Sequence, residues 1–371
     1  MKGKKFSSTR SNNERFEIKG KIWWGFRWSN DIPVKDNNVE KAKEKFIAEK
    51  SPKEIENFSL FLNKYVPIID AEIKDNIYNK EEVWFSIKET CIGGDSKKYF
   101  LKQLIEKFKN SFTKYAENLK TKINSQIEAL KKQKYIYVFP ESLSLHTSSR
   151  LIIGLGSDHV LETSLTLHHI YGIPYIPASA LKGICRMAAF WKIAENKNIL
   201  NNEKQLNELQ NKFYGDLCPD EKDILRYQLL FGAQNFKGLL LFLDAYPVIE
   251  ENTQIFDLDI MNVHYQKYYS EDPEKNPPGD WENPVPIVFL TVKEGVEFKF
   301  NILFDEFRAN KILEMDDETL KKTMPLAVRD ILKEFKDKLN NLQNEIKPLL
   351  EKALKEFGIG AKTRLGYGIF E

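Results

Sequence analysis

The stretch of this sequence richest in chemical possibility is FGIGAKTRLGYGIFE, Phe357 to Glu371, where Gly358, Gly360, Gly366 and Gly368 frame one lysine, one arginine and a tyrosine. Glycines admit positive φ and close backbone approach, so successive N–H groups can converge on an anion such as a phosphate. Lys362 and Arg364 would add charge to that cradle, Thr363 a hydroxyl, and Tyr367 a ring for a base or sugar. The same residues would equally suit a structural turn that leads into a terminal strand. Two common nucleotide motifs do not fit. After Gly366 only five residues remain, too few for the strand-helix-strand unit around a G-x-G-x-x-G fingerprint. A G-x-x-x-x-G-K-[ST] loop is excluded because Gly360-Ala361 precede Lys362-Thr363.

A second cationic group lies in SALKGICR, where Lys182 and Arg186 are four residues apart and share one face of a helix that Ser179 can cap. Helix N-terminal amides beside these cations would favour a phosphate, and a solvated face would show the same pattern. Ser148, Ser149 and Arg150 precede a strand and could also reach a polyanion. The histidines test for an enzyme. Asp158-His159 in the loop GLGSDH could serve acid–base cleavage of RNA, yet no second acid–base partner is evident. His168 and His169 are adjacent, so on a strand they would point to opposite faces and would not readily share a metal. Asp216, Asp220, Glu221 and Asp223 lie on a charged insert and read as a solvated face. The sequence therefore assigns no catalytic residue, no metal site and no cofactor.

The elements that must position these groups follow from periodicity. From Tyr99 to Leu130 the apolar residues recur at spacings of three and four, which predicts a long amphipathic helix on the order of 50 Å. Eleven lysines and three glutamates between Lys97 and Lys134 give that region a local charge of +8, leaving −6 for the rest of a +2 chain. Such segregation suits a polyanion or an acidic docking partner, and the lysine pattern also suits a solvated helix. Upstream, SPKEIENFSLFLNKYVPII predicts a helix capped by Ser51. The residues before it read as an extension in which Trp23, Trp24 and Trp28 would anchor to a protein surface or stack on bases.

From Tyr135 onward the pattern changes. Strand-like KYIYVFPESLSLHTSSRLIIGLG and TSLTLHHIYGIPYIP are followed by a helix from Ser179, a polar helical insert from Asn198 to Tyr227, and a strand over Gly238–Val248. A long proline-rich loop, YYSEDPEKNPPGDWENPVP, leads to two strands joined at Lys293-Glu294-Gly295. A helical region from Leu326 to Phe357 then ends at Gly358. The order β, α, β, β, α, β predicts an α+β, ferredoxin-like (RRM-like) core with helical insertions and an N-terminal helical extension. The implied division is 1–56 as extension, 57–134 as a helical region packed on the core, and 135–371 as the core with its glycine-rich loop.

At 371 residues the chain is long enough for a sizeable core, and no apolar run nears the roughly 18 residues of a membrane span. Its amino terminus shows no apolar signal region, and Cys91, Cys185 and Cys218 form no CxxC pair. A cytoplasmic protein with reduced thiols is expected.

Three stretches carry a family resemblance: GLGSDHVLETSLTLHHIYGIPYIPASALKGICR, DIMNVHYQKYY with PVPIVFLTVKEGVEFKF, and GIGAKTRLGYGIF. Together they resemble the RAMP superfamily of CRISPR proteins, and within it the sixth-subunit family of type III-B (Cmr) effector complexes, over roughly residues 57–371. The closing stretch is similar to the superfamily pattern of two glycines, five intervening residues and two glycines. The resemblance implies a glycine-rich loop that packs beside an RRM-like sheet and contacts RNA backbone. It implies a non-catalytic subunit at the end of a filament that carries guide CRISPR RNA and pairs it with target RNA. The implied protein partners are other Cmr subunits, especially the repeated backbone subunit, which cleaves the target, and the terminal RAMP subunit. The competing expectations are a metal-independent endoribonuclease that processes guide precursors and a purely structural assembly protein.

Overall fold

The computed structural model describes residues 16–23, 34–36, 57–64, 68–75, 83–90, 94–139, 142–159, 161–251, 253–272, 274–279, 281–337 and 339–371. The predicted Ser51 cap, Trp24, Trp28 and Cys91 lie outside the described residues.

The amino-terminal part differs from the expected helical extension. Strands β1 (Phe16–Trp23), β2 (Val34–Asp36), β3 (Ile68–Asp75) and β4 (Val83–Thr90) form an antiparallel sheet in the order β2-β1-β3-β4. The expected boundary at residue 56 runs through this sheet. Helix α1 is short, Phe58–Lys64, and the Ile68-Ile69 pair assigned to it in sequence opens β3 instead. Asn57 caps α1, its Oδ1 accepting from the Leu60 N–H at 2.8 Å.

The long helix forms as its spacing predicts: α2 spans Gly94–Lys132, 39 residues or roughly 58 Å. Its apolar stripe packs on α1 and on a two-stranded ribbon described below. Phe58 of α1 is the hinge of that contact, with ring centroids 5.6 Å from Phe108, 5.3 Å from Phe112 and 4.7 Å from Phe256.

Two further antiparallel sheets of three strands each are built from consecutive pairs of short strands. β5 (Tyr135–Tyr137) and β6 (Leu143–His146) make one flank, β7 (Leu240–Phe242) and β8 (Tyr246–Pro247) the other, and β11 (Glu297–Phe300) and β12 (Ile302–Asp305) the centre. β11 pairs with β6 and β8, and β12 with β5 and β7, all antiparallel. The last residues add a further edge, because Phe370 bridges Thr147 and the Glu371 N–H donates to His146 O at 2.9 Å. In space the order is therefore C-terminal segment, β5/β6, β11/β12, β7/β8.

Helices α3 (Ala178–Asn196), α4 (Glu203–Tyr214) and α5 (Lys222–Phe231) lie between the first and second of these strands in sequence. After β12 come α7 (Glu306–Glu314), α8 (Asp317–Thr323), α9 (Ala327–Asp337) and α10 (Leu339–Lys352), and a π turn over Ala353–Phe357 leads to the glycines. Ion pairs tie the helices together: Arg226 of α5 reaches Glu334 of α9 and Glu345 of α10, each at 2.7 Å.

The ribbon was not foreseen. β9 (Phe256–Val263) and β10 (Val285–Val292) pair along eight residues each, with a short helix α6 (Gln266–Ser270) in the proline-rich connection. The two strands expected on either side of Lys293-Glu294-Gly295 are present, and they part company there: β10 belongs to the ribbon, and β11 passes on into the sheet. Among the described residues no helix is long and apolar enough to cross a membrane.

Candidate nucleic-acid interface

The glycine-rich loop stands on two buried feet. Ile359 and Phe370 are 1% and 2% exposed, and the Phe370 ring meets Phe298 and Phe300 edge-on at 5.9 and 5.7 Å. Its neck is stitched by backbone bonds: Ile359 N–H to Gly368 O (2.9 Å), Ala361 N–H to Ile152 O (2.8 Å) and Gly368 N–H to Arg150 O (2.8 Å). Two glycines are there because backbone passes through the space a Cβ needs. A Cβ on Gly360 would lie 2.2 Å from Ile152 O, and one on Gly368 2.0 Å from Ile359 O. Gly366 has open space and needs only its φ of +87°.

The tip is different from the neck. Lys362 is left-handed (φ 60°, ψ 28°) and a 3₁₀ turn follows over Thr363–Leu365. That succession points neighbouring amides to one side, the geometry of an anion-binding nest. The N–H groups of Lys362, Thr363 and Arg364 donate to no described residue, and neither Lys362 nor Arg364 is ion-paired to one. Tyr367 is not a free ring: its hydroxyl donates to Asp259 and its ring lies 6.3 Å from Phe289. Burial and the Asp259 carboxylate push that hydroxyl up to about 12.

Arg150, expected to reach RNA, turns to the ribbon. Its Nε and Nη2 lie 3.1 and 3.0 Å from Asp257 Oδ2, and its Nη1 3.4 Å from Asp259 Oδ2. The guanidinium thus arrives at the loop already neutralised by carboxylates. Ser149 serves the loop directly, its Oγ accepting from the Ile369 N–H at 3.2 Å.

On α3 the expected cap is corrected. Pro177 is the capping residue and makes no side-chain cap bond, while exposed Ser179 sits inside the first turn. The Ala178 N–H donates instead to Asp244 Oδ1 at 2.7 Å, so a carboxylate already occupies part of the site assigned to a phosphate. Lys182 and Arg186 are both half-buried on this helix. Arg186 lies 4.5 Å above the Tyr214 ring, and its Nη2 donates to Phe213 O at 3.3 Å. Burial, then the Arg186 and Lys237 charges, hold the Lys182 ammonium below its ordinary value. Lys237 was missed in sequence. It is brought in by FGAQNFKG, whose Gly238 packs against Phe231 and Gly232 backbone within 2.6 Å of where a Cβ would stand. The flanking glycines were the available signal for a chain that doubles back.

His159 is tied into the fold through both ring nitrogens. His159 Nε2 donates to Asn63 Oδ1 (2.9 Å) and its Nδ1 accepts from the Leu161 N–H (3.0 Å), the neutral tautomer with both nitrogens engaged. Burial first, and the nearby Lys97 charge second, hold its pKa below the usual histidine range. Lys97 itself departs from the solvated-helix reading: it is 1% exposed, bonded to Leu161 O and 3.0 Å from Glu162 Oε2. His168 and His169 do not point to opposite faces, because the chain turns there, and their rings stack at 5.1 Å and 9°. In the acidic insert Glu221 bridges Lys197 and Lys212 at 2.6 Å each, and those bonds lower its pKa. Among the described residues no three His, Cys, Asp or Glu side chains are grouped to hold a metal.

The sequence profile of the RAMP superfamily matches residues 144–371, which takes in β6, α3, the ribbon and the whole glycine-rich loop. The chain belongs to the RAMP superfamily. The RAMP match is joined by 33% identity over 363 residues to CRISPR system Cmr subunit Cmr6 of Pyrococcus furiosus, covering 84% of this chain and 93% of that protein. The corresponding Cmr6 of Saccharolobus solfataricus is 25% identical over 280 residues, 75% of this chain and 72% of that one. A chain of the cryo-EM structure of the type III-B Cmr-beta bound to cognate target RNA aligns at a TM-score of 0.42 and 21% identity, covering 75% of this RAMP chain and 73% of the other.

Proposed function

We propose that this chain is a non-catalytic RNA-binding subunit of a type III-B Cmr effector complex, capping the backbone filament and contacting guide CRISPR RNA and the guide–target duplex. One observation carries the reading. At the tip of the glycine-rich loop, three unpartnered amides sit beside two cations that no described carboxylate opposes, while the neck is rigidly bonded. A phosphate answers that arrangement with charge and with acceptor oxygens. Lys182, Arg186 and Lys237 form a second cationic group on α3 and the neighbouring loop, with Arg186 already engaged by Phe213 O and the Tyr214 ring.

The sheet order supports a ferredoxin-like, RRM-like core within residues 135–371: fourth strand, first, third, second, with α3 and the α9–α10 region as its two helical connections. Similarity to Cmr6 proteins supports assembly with other Cmr subunits, the repeated backbone subunit and the terminal RAMP subunit among them, in the cytoplasm. Sequence specificity would come from base pairing, and the protein would bind with little base preference.

The alternative of a guide-processing endoribonuclease rests on His159, whose two nitrogens are both engaged in the fold. Crosslinking on the assembled particle tests the reading: RNA crosslinks at Lys362–Arg364 are expected. Incubation of the purified chain with repeat RNA in chelator should give no cleavage, and cleavage abolished by His159→Ala would replace this function with the nuclease.

A further inference from the structure

We infer that the turn His168–Tyr171, backed by Tyr175 and Tyr246, is a stacking platform for unpaired bases of single-stranded RNA, and that the groove beside it receives their edges. The inference rests on the RNA-binding reading but uses different residues and different chemistry.

The rings form one continuous group. His168 stacks on His169 and lies 4.7 Å from the Tyr171 ring and 6.1 Å from Tyr246, and Tyr175 stacks on Tyr246 at 5.6 Å. The turn that holds them is pinned. Gly172 takes φ +65° against the Phe58 and Ser59 backbone, its N–H donates to His168 O at 2.7 Å, and the His168 N–H donates to Ile173 O at 2.8 Å. Asn57 Nδ2 adds bonds to the His169 and Ile170 carbonyls. Despite this rigidity the outermost ring is open: His169 is exposed, and its one ring neighbour among the described residues is His168. A ring fixed in advance and left uncovered, as His169 is, can stack a base without a further ordering cost.

Tyr246 also lines a groove of about 890 Å³ between α2 and the β8/β11 side of the sheet. Three lysines there face four carboxylates, so the groove itself is no channel for phosphates. Asn110, Asn124 and Asn301 instead present amides, which carry both donors and acceptors for base edges. Positive charge stands outside, where Lys122 lies 5.7 Å over the Tyr171 ring on the helix of local charge +8. Bases inward and phosphates outward is the arrangement these groups complement.

The test uses the full chain, alone and assembled, with an oligoribonucleotide carrying 4-thiouridine, single-stranded and as the matching duplex. Photocrosslinks at His169, Tyr171 or Tyr246 with the single strand and not the duplex are expected. His169→Ala with Tyr171→Leu should weaken single-strand binding about ten-fold or more, leave the salt slope unchanged, and regain affinity when position 171 is Phe. RNA binding that persists with no ring crosslink and no variant effect overturns the platform while leaving the loop reading intact. Crosslinks from these rings to a neighbouring polypeptide in the assembled particle overturn it in favour of a protein contact.

Discussion

Arg150 and Asp257 are joined across 107 residues of sequence, the guanidinium Nε donating to the carboxylate at 3.1 Å, and Asp259 completes the clasp. The β9 carboxylates therefore compete with any phosphate for the arginine that abuts the neck of the glycine-rich loop. Asp257→Asn with Asp259→Asn should release Arg150, tightening RNA binding several-fold at low salt and steepening the salt slope by about one. The pair is partly exposed, so stability should change by less than about 1 kcal/mol. The Tyr367 hydroxyl, losing the Asp259 charge, should titrate below its present value of about 12. Salt-series titrations and ultraviolet pH titration read these outcomes, and weaker RNA binding in the double variant would refute the competition.

The glycines separate by mechanism. Gly360→Ala and Gly368→Ala drive a Cβ into a carbonyl oxygen as well as straining φ, whereas Gly366→Ala meets only the strain. Thermal or urea unfolding should show the first two costing about 2 kcal/mol or more and the third about 1 kcal/mol. Equal costs for all three would mean that the neck is not as closely packed as described.

Two half-buried histidines give stability a pH dependence. His159 and His168 both have lowered pKa values, in each case chiefly through burial, so the unfolded chain binds protons more readily than the folded one. Their contribution is full above the unfolded histidine pKa of about 6.5 and is lost as pH falls through the lower folded values. Melting temperature should drop between pH 7.5 and about 5.5, above the range where paired carboxylates such as Glu221 and Glu334 titrate. His159→Gln should shrink that drop, and an undiminished drop would show that His159 is not the group responsible.

Buried Lys97 predicts a different kind of loss. Its ammonium holds Leu161 O and Glu162 together beside the His159 loop. Lys97→Ala should destabilise by about 2–3 kcal/mol through the lost bonds and lost packing. Chemical denaturation measures it, and a change under about 0.5 kcal/mol would place the lysine among the solvated ones.

Much of this was legible in advance where the signal is local. The spacing from Tyr99 to Leu130 gave α2, and SALKGICR gave α3 within a residue of its start. The four glycines marked a loop because φ and close approach are local demands. The ribbon strand β9 also had a signal that went unread: Phe256, Leu258 and Ile260 alternate with Asp257 and Asp259, the period of a strand. Other features had none. Nothing near Arg150 in sequence announces the carboxylates that claim it, and nothing in the heptad-like run of α2 marks Lys97 as the buried lysine. His168 and His169 were misplaced because Leu167-to-Ile176 looks extended, while Gly172 at positive φ turns the chain between the Leu167 and Pro174 bridge partners.

The central claim is that the loop tip holds RNA backbone through its amides and the charges of Lys362 and Arg364. The most direct measurement is RNA affinity of the assembled complex across a salt series for the parent and for Lys362→Ala with Arg364→Ala. Loss of affinity with a salt slope reduced by up to about two is the expected result, and unchanged affinity and slope would contradict it.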